Sequence, residues 1–142
     1  ERLVGSEMCI RDSTKDILEG CAIKVFNHGK MRRDFTYIDD IVSGIIGALD
    51  NPPVKDKKGV AHKIYNLGNN KSETLGDFIK QIEDSIGQTA VKEVLPMQDG
   101  DVAETYADIT DSKQDLGYNP STPISVGIPK FIKWYKEFYK FD

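Results

Sequence analysis

Residues 30–49, KMRRDFTYIDDIVSGIIGAL, put three basic side chains, an alternating run and two adjacent aspartates directly before an apolar helical pattern. Arg33, Phe35 and Tyr37 alternate with Asp34, Thr36 and Ile38, which predicts a short strand. Asp39 or Asp40 then predicts a helix N-cap, followed by Ile41, Ile45, Ala48 and Leu49 on one face. Asn51-Pro52-Pro53 closes that helix. A strand turning into an acid-capped helix is a corner of an α/β chain. The cluster of Lys30, Arg32 and Arg33 at its edge is either a solvated basic rim or a grip for an anion.

The same alternation continues on both sides. Upstream, residues 14–20 read as a helix end with Gly20 as its left-handed cap. Ile23, Val25 and Phe26 predict a strand closed by Asn27, His28 and Gly29. Downstream come a charged loop over 54–62, a strand over 63–67 (KIYNL) and the turn Gly68-Asn69-Asn70. Thr74 opens an amphipathic helix with Asp77 in the capping-box position and Leu75, Phe78, Ile79, Ile82 and Ile86 on one face. Residues 91–95 predict a strand, an acidic glycine-containing loop follows, and a short helix lies near 112–116. Thr122-Pro123 predicts the N-cap and first residue of a last helix facing inward with Ile128, Phe131, Ile132, Tyr135 and Phe138. Pro129 falls inside that helix and is expected to kink or restart it.

Composition narrows the function classes. At 142 residues the chain is long enough for one domain with a real core. Its 39% hydrophobic and 30% charged residues mark a globular protein, not a disordered one. The net charge of -4 argues against a nucleic-acid or membrane-surface binder, because tracking phosphates needs a basic face. No apolar run approaches the roughly 18 residues of a membrane span. Cys9 and Cys21 lack metal-ligand spacing, and so read as reduced thiols in a cytoplasmic setting. The opening residues lack the apolar core of a signal peptide.

Few motifs carry chemistry. No G-x-G-x-x-G or G-x-x-x-x-G-K occurs, so the chain has no phosphate cradle of its own. G-x-S-x-G, C-x-x-C and H-E-x-x-H are absent too, and no metal site is expected. His28 and His62 sit in a turn and a polar loop and read as solvated bystanders. Asp39-Asp40 could pair for acid–base work, but adjacent carboxylates diverge, and capping the helix is the plainer reading.

The order KDILEGCAIKVFNHGKMRRDFTYIDDIV, then KIYNLGNN, then LPMQDGDVAETYADITDSKQDLGYNP resembles the C-terminal portion of nucleotide-sugar epimerases and dehydratases. These are extended short-chain dehydrogenase/reductases, and the likeness runs closest to bacterial UDP-glucuronate 4-epimerases. It covers residues 14–142. The head ERLVGSEMCIRDS, residues 1–13, departs from the family pattern and reads as a non-native or artefactual addition. The resemblance implies an α/β fold: the C-terminal substrate-binding part of such an enzyme, with most of the Rossmann domain missing.

It also implies a chemistry. In this family NAD takes hydride from C4 of the sugar while a tyrosine of a Tyr-x-x-x-Lys pair removes the hydroxyl proton. The keto sugar then turns over and receives hydride on its other face. No tyrosine here is followed four residues later by lysine, so no catalytic residue is expected in this chain and NAD would be bound elsewhere. Turnover of the sugar needs the nucleotide diphosphate held still, so binding energy belongs at the UDP end.

Arg33 matches the family arginine on the diphosphate, a task suited to a guanidinium fork. Val25 and Phe26 match the segment along the uracil, and Gln98 and Asp101 the loop over ribose and diphosphate. Relatives such as UDP-galactose 4-epimerases carry a second arginine where Gln98 stands, which leans toward the glucuronate subgroup. Lys30 and Arg32 are expected to supply only a diffuse, salt-screened field. The implied substrate is a UDP-sugar, the implied pathway capsule or lipopolysaccharide sugar synthesis, and the full-length enzyme a cytoplasmic homodimer. A fragment of a dehydratase or decarboxylase, or a non-catalytic nucleotide-sugar binding module, stays open beside it. The faces of the helices starting at Thr74 and Pro123 are expected to rest partly on elements outside this chain.

Overall fold

The computed structural model describes residues 10–98 and 100–141. Its elements are α1 (Ile10–Leu18), β1 (Ala22–Val25), a left-handed turn (Phe26–Gly29), β2 (Arg32–Asp34), α2 (Ile38–Asp50), β3 (Ser72–Thr74), α3 (Leu75–Ile86), β4 (Val91–Val94), α4 (Thr110–Leu116) and α5 (Ile124–Tyr139). Residues 10–13 of the expected head lie in α1, while 1–9, including Cys9, fall outside the described residues. Cys21 is a free, exposed thiol.

Two small sheets organise the chain. β1 and β4 pair in parallel, from Ala22 opposite Val91 to Val25 opposite Val94. β2 and β3 pair antiparallel, from Arg32 opposite Thr74 to Asp34 opposite Ser72. α3 forms where the sequence predicts it. Thr74 Oγ1 accepts from the Asp77 amide at 3.0 Å and donates to the Asp77 carboxylate at 2.6 Å. Such a cap contributes about 1 kcal/mol. The buried stripe of α3, Leu75, Phe78, Ile79 and Ile82, meets Ile128 and Ile132 of α5 and Ile17, Ile23 and Val25 in the main core. Phe35 stacks on Phe78 at 3.8 Å.

Several expectations are corrected. The helices starting near Thr74 and Pro123 pack on each other, but Phe138, expected on the inward face of the last helix, is 63% exposed. α5 runs through Pro129 without interruption; its N-cap is Pro123, one residue later than expected. A proline near the helix start forfeits a single intrahelical bond. Residues 63–67 form no strand, because no neighbouring strand offers them a ladder, and Ile64 is 76% exposed. Ser112 instead donates its hydroxyl to the Asn66 carbonyl, and the Lys63 ammonium meets Asp115.

The largest correction concerns α2. Half of its expected face points outward: Ile45 is 49% and Leu49 75% exposed, beside Ile38, Val42 and Ile46, while Ile41 and Ala48 are half-buried and Ala48 packs on the second core. The buried residues of the helix are Asp40 and Gly44. Neither Asp39 nor Asp40 is the N-cap, which is Tyr37. The Asp40 carboxylate accepts from the Ser121 and Thr122 amides at 3.3 and 3.0 Å, tying α2 to the entry of α5. A Cβ on Gly44 would lie 2.5 Å from Leu67, and one on Gly47 2.7 Å from the Leu116 carbonyl oxygen. Small residues thus face the body because the backbone approaches too closely for larger ones.

Gly47→Ala weighs two effects. Helix propensity favours alanine by about 1 kcal/mol, whereas a methyl against a backbone carbonyl costs roughly 1–3 kcal/mol. The clash should win, lowering the urea midpoint of unfolding. A raised midpoint would refute the close contact between α2 and α4.

Candidate functional site

β2 is three residues long, and each of them holds the segment 101–107 differently. Arg32 does so through its backbone, donating from its amide to the Ala103 carbonyl at 2.8 Å and accepting from the Thr105 amide at 3.2 Å. Its guanidinium donates to Glu104 at 3.0 Å and to the Ser72 hydroxyl and carbonyl at 3.2 and 2.7 Å. Arg33 reaches further back, donating to Asp101 Oδ1 at 3.1 Å and to the Arg32 carbonyl at 2.9 Å. Asp34 points to the far end, where its carboxylate accepts from the Ala107 amide at 3.0 Å. The segment is a strap laid along β2.

The Arg33–Asp101 pair is the desolvated part of this arrangement. The two side chains are only 12% and 7% exposed. Asp101 Oδ1 also accepts from the Val102 amide at 2.9 Å. Asp101 Oδ2 is buried and has no hydrogen-bond partner among the described residues. An acceptor left without a donor at that depth costs about 1–3 kcal/mol, more for a charged group, so the site asks for a donor such as a hydroxyl. Gln98 lies beside it: the Asp101 amide donates to the Gln98 carbonyl at 3.2 Å, and Gly100 has φ 82°.

Val25 and Phe26 lie at the start of the chain that leads through Leu95 to Gln98. Leu95, just after β4, donates to the Val25 carbonyl at 2.9 Å, so the uracil-matching segment borders the chain leading to Gln98. Val25 as a whole is 4% exposed and belongs to the core, which corrects its expected role as a ligand contact and leaves the half-buried Phe26 of that segment to face a ligand. Asn27, His28 and Gly29 follow with φ of 48°, 51° and 75°. Two non-glycine residues in succession there cost about 1–2 kcal/mol each, a strain placed next to the candidate base segment.

Of the five expected site residues, Arg33 and Asp101 meet directly, Gln98 accepts from the Asp101 amide through its carbonyl, and Val25 and Phe26 stand apart, joined to this chain through Leu95. Arg32 departs from its expected diffuse role, since its guanidinium is fixed on Ser72 and Glu104. The sequence reading missed Asp34, whose partners stand 35 to 73 positions away. A separate apolar cavity of about 360 Å³, lined by Phe35, Tyr37, Phe78, Ile124, Ile128 and Phe131, contains none of these residues. The charged and polar groups converge at Arg33, so that is the better candidate. The β3–α3 junction is closed by the Thr74 cap and carries no glycine-rich loop. Among the described residues no cluster could hold a metal, and no helix is long and apolar enough to cross a membrane.

Comparison with known proteins agrees with these motifs. Residues 5–68 match the NAD dependent epimerase/dehydratase family. Protein CapI of Staphylococcus aureus is 41% identical, over 94% of this chain and 43% of its own. UDP-glucuronate 4-epimerase 4 of Arabidopsis thaliana is 40% identical, over 91% of this chain and 32% of its own. UDP-glucuronic acid 4-epimerase from Bacillus cereus, solved with UDP-glucuronic acid and NAD, superposes with a TM-score of 0.78 at 30% identity, covering 94% of this chain and 41% of that one. The chain thus resembles nucleotide-sugar epimerases of the extended short-chain dehydrogenase/reductase type, whose family cofactor is NAD. It spans less than half the length of these relatives.

The strap has a built-in pH dependence. Hydrogen bonds from Ser72 and then Arg32 hold the Glu104 carboxyl below its ordinary 4.5. A depressed folded value stabilises above the unfolded one and is lost as pH falls through the folded one. Amide protection at 103–105 should therefore hold above pH 4.5 and weaken as acid is added below it. Glu104→Gln should remove that acid limb in hydrogen-exchange measurements; an identical pH profile would show that Glu104 does not fasten the strap.

Proposed function

We propose that this chain is the substrate-binding part of an NAD-dependent UDP-sugar 4-epimerase interconverting UDP-glucuronate and UDP-galacturonate for capsule or lipopolysaccharide sugars. One observation carries the reading. A desolvated guanidinium lies against a carboxylate whose second oxygen is buried without a donor. Arg33 offers a fork to a diphosphate, and Asp101 Oδ2 offers an acceptor to a sugar hydroxyl. Gln98 stands in the chain leading to Asp101, and the half-buried Phe26 flanks the base. A bare anion would satisfy Arg33 and leave Asp101 unmatched; a ribose diphosphate satisfies both.

The residues of this chain bind and orient. Holding the diphosphate while leaving the sugar unclamped is what a turnover of the keto sugar requires, because the same hexose must present both faces in succession. NAD, when bound by another part of the enzyme, supplies the hydride acceptor and donor. A second reading, a non-catalytic nucleotide-sugar binding module, draws on the absence of any Tyr-x-x-x-Lys pair in the sequence. On either reading the 142 residues alone neither bind NAD tightly nor form UDP-galacturonate, and product made by the purified chain would contradict this.

Calorimetric titration of UDP distinguishes an anion grip from a basic rim. Arg33→Ala should weaken binding by roughly 1.5–3 kcal/mol, the scale of a hydrogen bond to a charged group. Arg33→Lys should recover only part of this, since a point charge cannot replace a fork. The exposed Lys30, changed to alanine, should cost little, and that little should fade at high salt. A thermal melt must accompany Arg33→Ala, because removing one partner of a buried pair leaves Asp101 uncompensated. Equal small losses at Arg33 and Lys30 would overturn the assignment.

A further inference from the structure

The Asp34 carboxylate joins two loops that the candidate site needs in one place. Oδ1 accepts from the Asn69 amide at 2.8 Å, and Oδ2 accepts from the Asn70 and Ala107 amides, each at 3.0 Å. Asn70 has φ 54°, so this turn is held in a conformation that few residues adopt unaided. Gly68 is pressed into the junction: a Cβ there would lie 2.5 Å from Ala107 and 2.9 Å from Asp34 Oδ2. A carboxylate with three backbone donors on it is a fastener, with each bond to a charged acceptor stronger than a neutral one.

The strap it fastens is the one that carries Asp101. The Arg33–Asp101 pair fixes one end, the Arg32 backbone the middle, and Asp34 the other end. Successive strand residues project to opposite sides, so Arg33 and Asp34 grip the same segment from two faces of β2. With the Asp34 end released, the strap keeps only the Arg32 bonds to its middle and the Arg33 pair at Asp101, so its hold on the carboxylate shifts toward Arg33, the group a diphosphate would engage. A ligand drawing on Arg33 would then loosen the carboxylate meant for its hydroxyl.

We propose that Asp34 is a positioning residue for UDP-sugar binding: it never touches the ligand but pins the 101–107 strap so that Asp101 keeps its place. This rests on the reading of Arg33 and Asp101 given above. It makes the Gly68-Asn69-Asn70 turn, remote in sequence from both, part of the binding apparatus.

Asp34→Asn tests it, because one acceptor oxygen becomes an amide facing N–H donors. Hydrogen exchange should quicken about tenfold or more at 69–70 and 101–107, with β1, β4 and α3 unchanged. UDP affinity should fall about tenfold in the otherwise native chain, and less than twofold when Asp101→Ala is already present, since the strap then has nothing to position. Unaltered exchange in the strap, an equal affinity loss in both backgrounds, or global unfolding with loss of β1–β4 protection would each overturn the proposal. Should Asp34→Asn not fold, the native chain supplies a second measurement. UDP should slow exchange at 69–70 together with 101–107, and a response confined to the strap would again overturn it. If UDP does not bind the native chain at all, the reading of the site fails; the role of Asp34 then stands or falls on strap exchange in Asp34→Asn.

Discussion

The contacts between the Arg32-Arg33-Asp34 strand and the 101–107 strap are the constraint on which the rest of the site depends. Three adjacent residues use three kinds of bond: a backbone bridge, a desolvated ion pair and a carboxylate over amide groups. The same strand pairs with β3, whose Ser72 and Thr74 carry the arginine contact and the α3 cap. Together these bonds decide where Asp101 lies. The buried pair contributes specificity more than stability, because the desolvation of both charges offsets much of their attraction.

A second carboxylate, Asp40, repeats the device at the opposite corner by accepting from the Ser121 and Thr122 amides. Two aspartates on one short stretch thus fasten two distant loops, one at the strap and one at the start of α5. This explains why the stretch combines basic residues, a strand and acids. The acids hold chain that arrives from far away, and Arg33 is held in turn by one of those arrivals. The strained left-handed residues Asn27 and His28 complete the pattern, turning the chain sharply between the β1 end and the start of β2.

The outward face of α2 is a different matter. Ile38, Val42, Ile45, Ile46 and Leu49 form an apolar stripe exposed among the described residues, while Gly44 and Gly47 lie against Leu67 and Leu116. Residues 63–67 have the composition of a strand and, among the described residues, no ladder to join. Both features share a cause: local pattern announces burial and pairing, and only a neighbouring element can supply them.

Local chemistry was legible wherever its partners were close in sequence. The Thr74–Asp77 cap, the inward stripe of α3, the left-handed Gly20 and the parallel-strand segments of β1 and β4 all rest on spacing of four residues or fewer. Family motifs likewise marked Arg33, Gln98 and Asp101. What the sequence could not show was pairing across long separations. Asp34 meets Ala107 across 73 positions and Asp40 meets Thr122 across 82, and no periodicity records such a bond. The inward side of α2 was hidden for the same reason. An amphipathic pattern says that a face is apolar, but which side touches the body depends on how near another backbone comes, and there glycine, not isoleucine, is what fits.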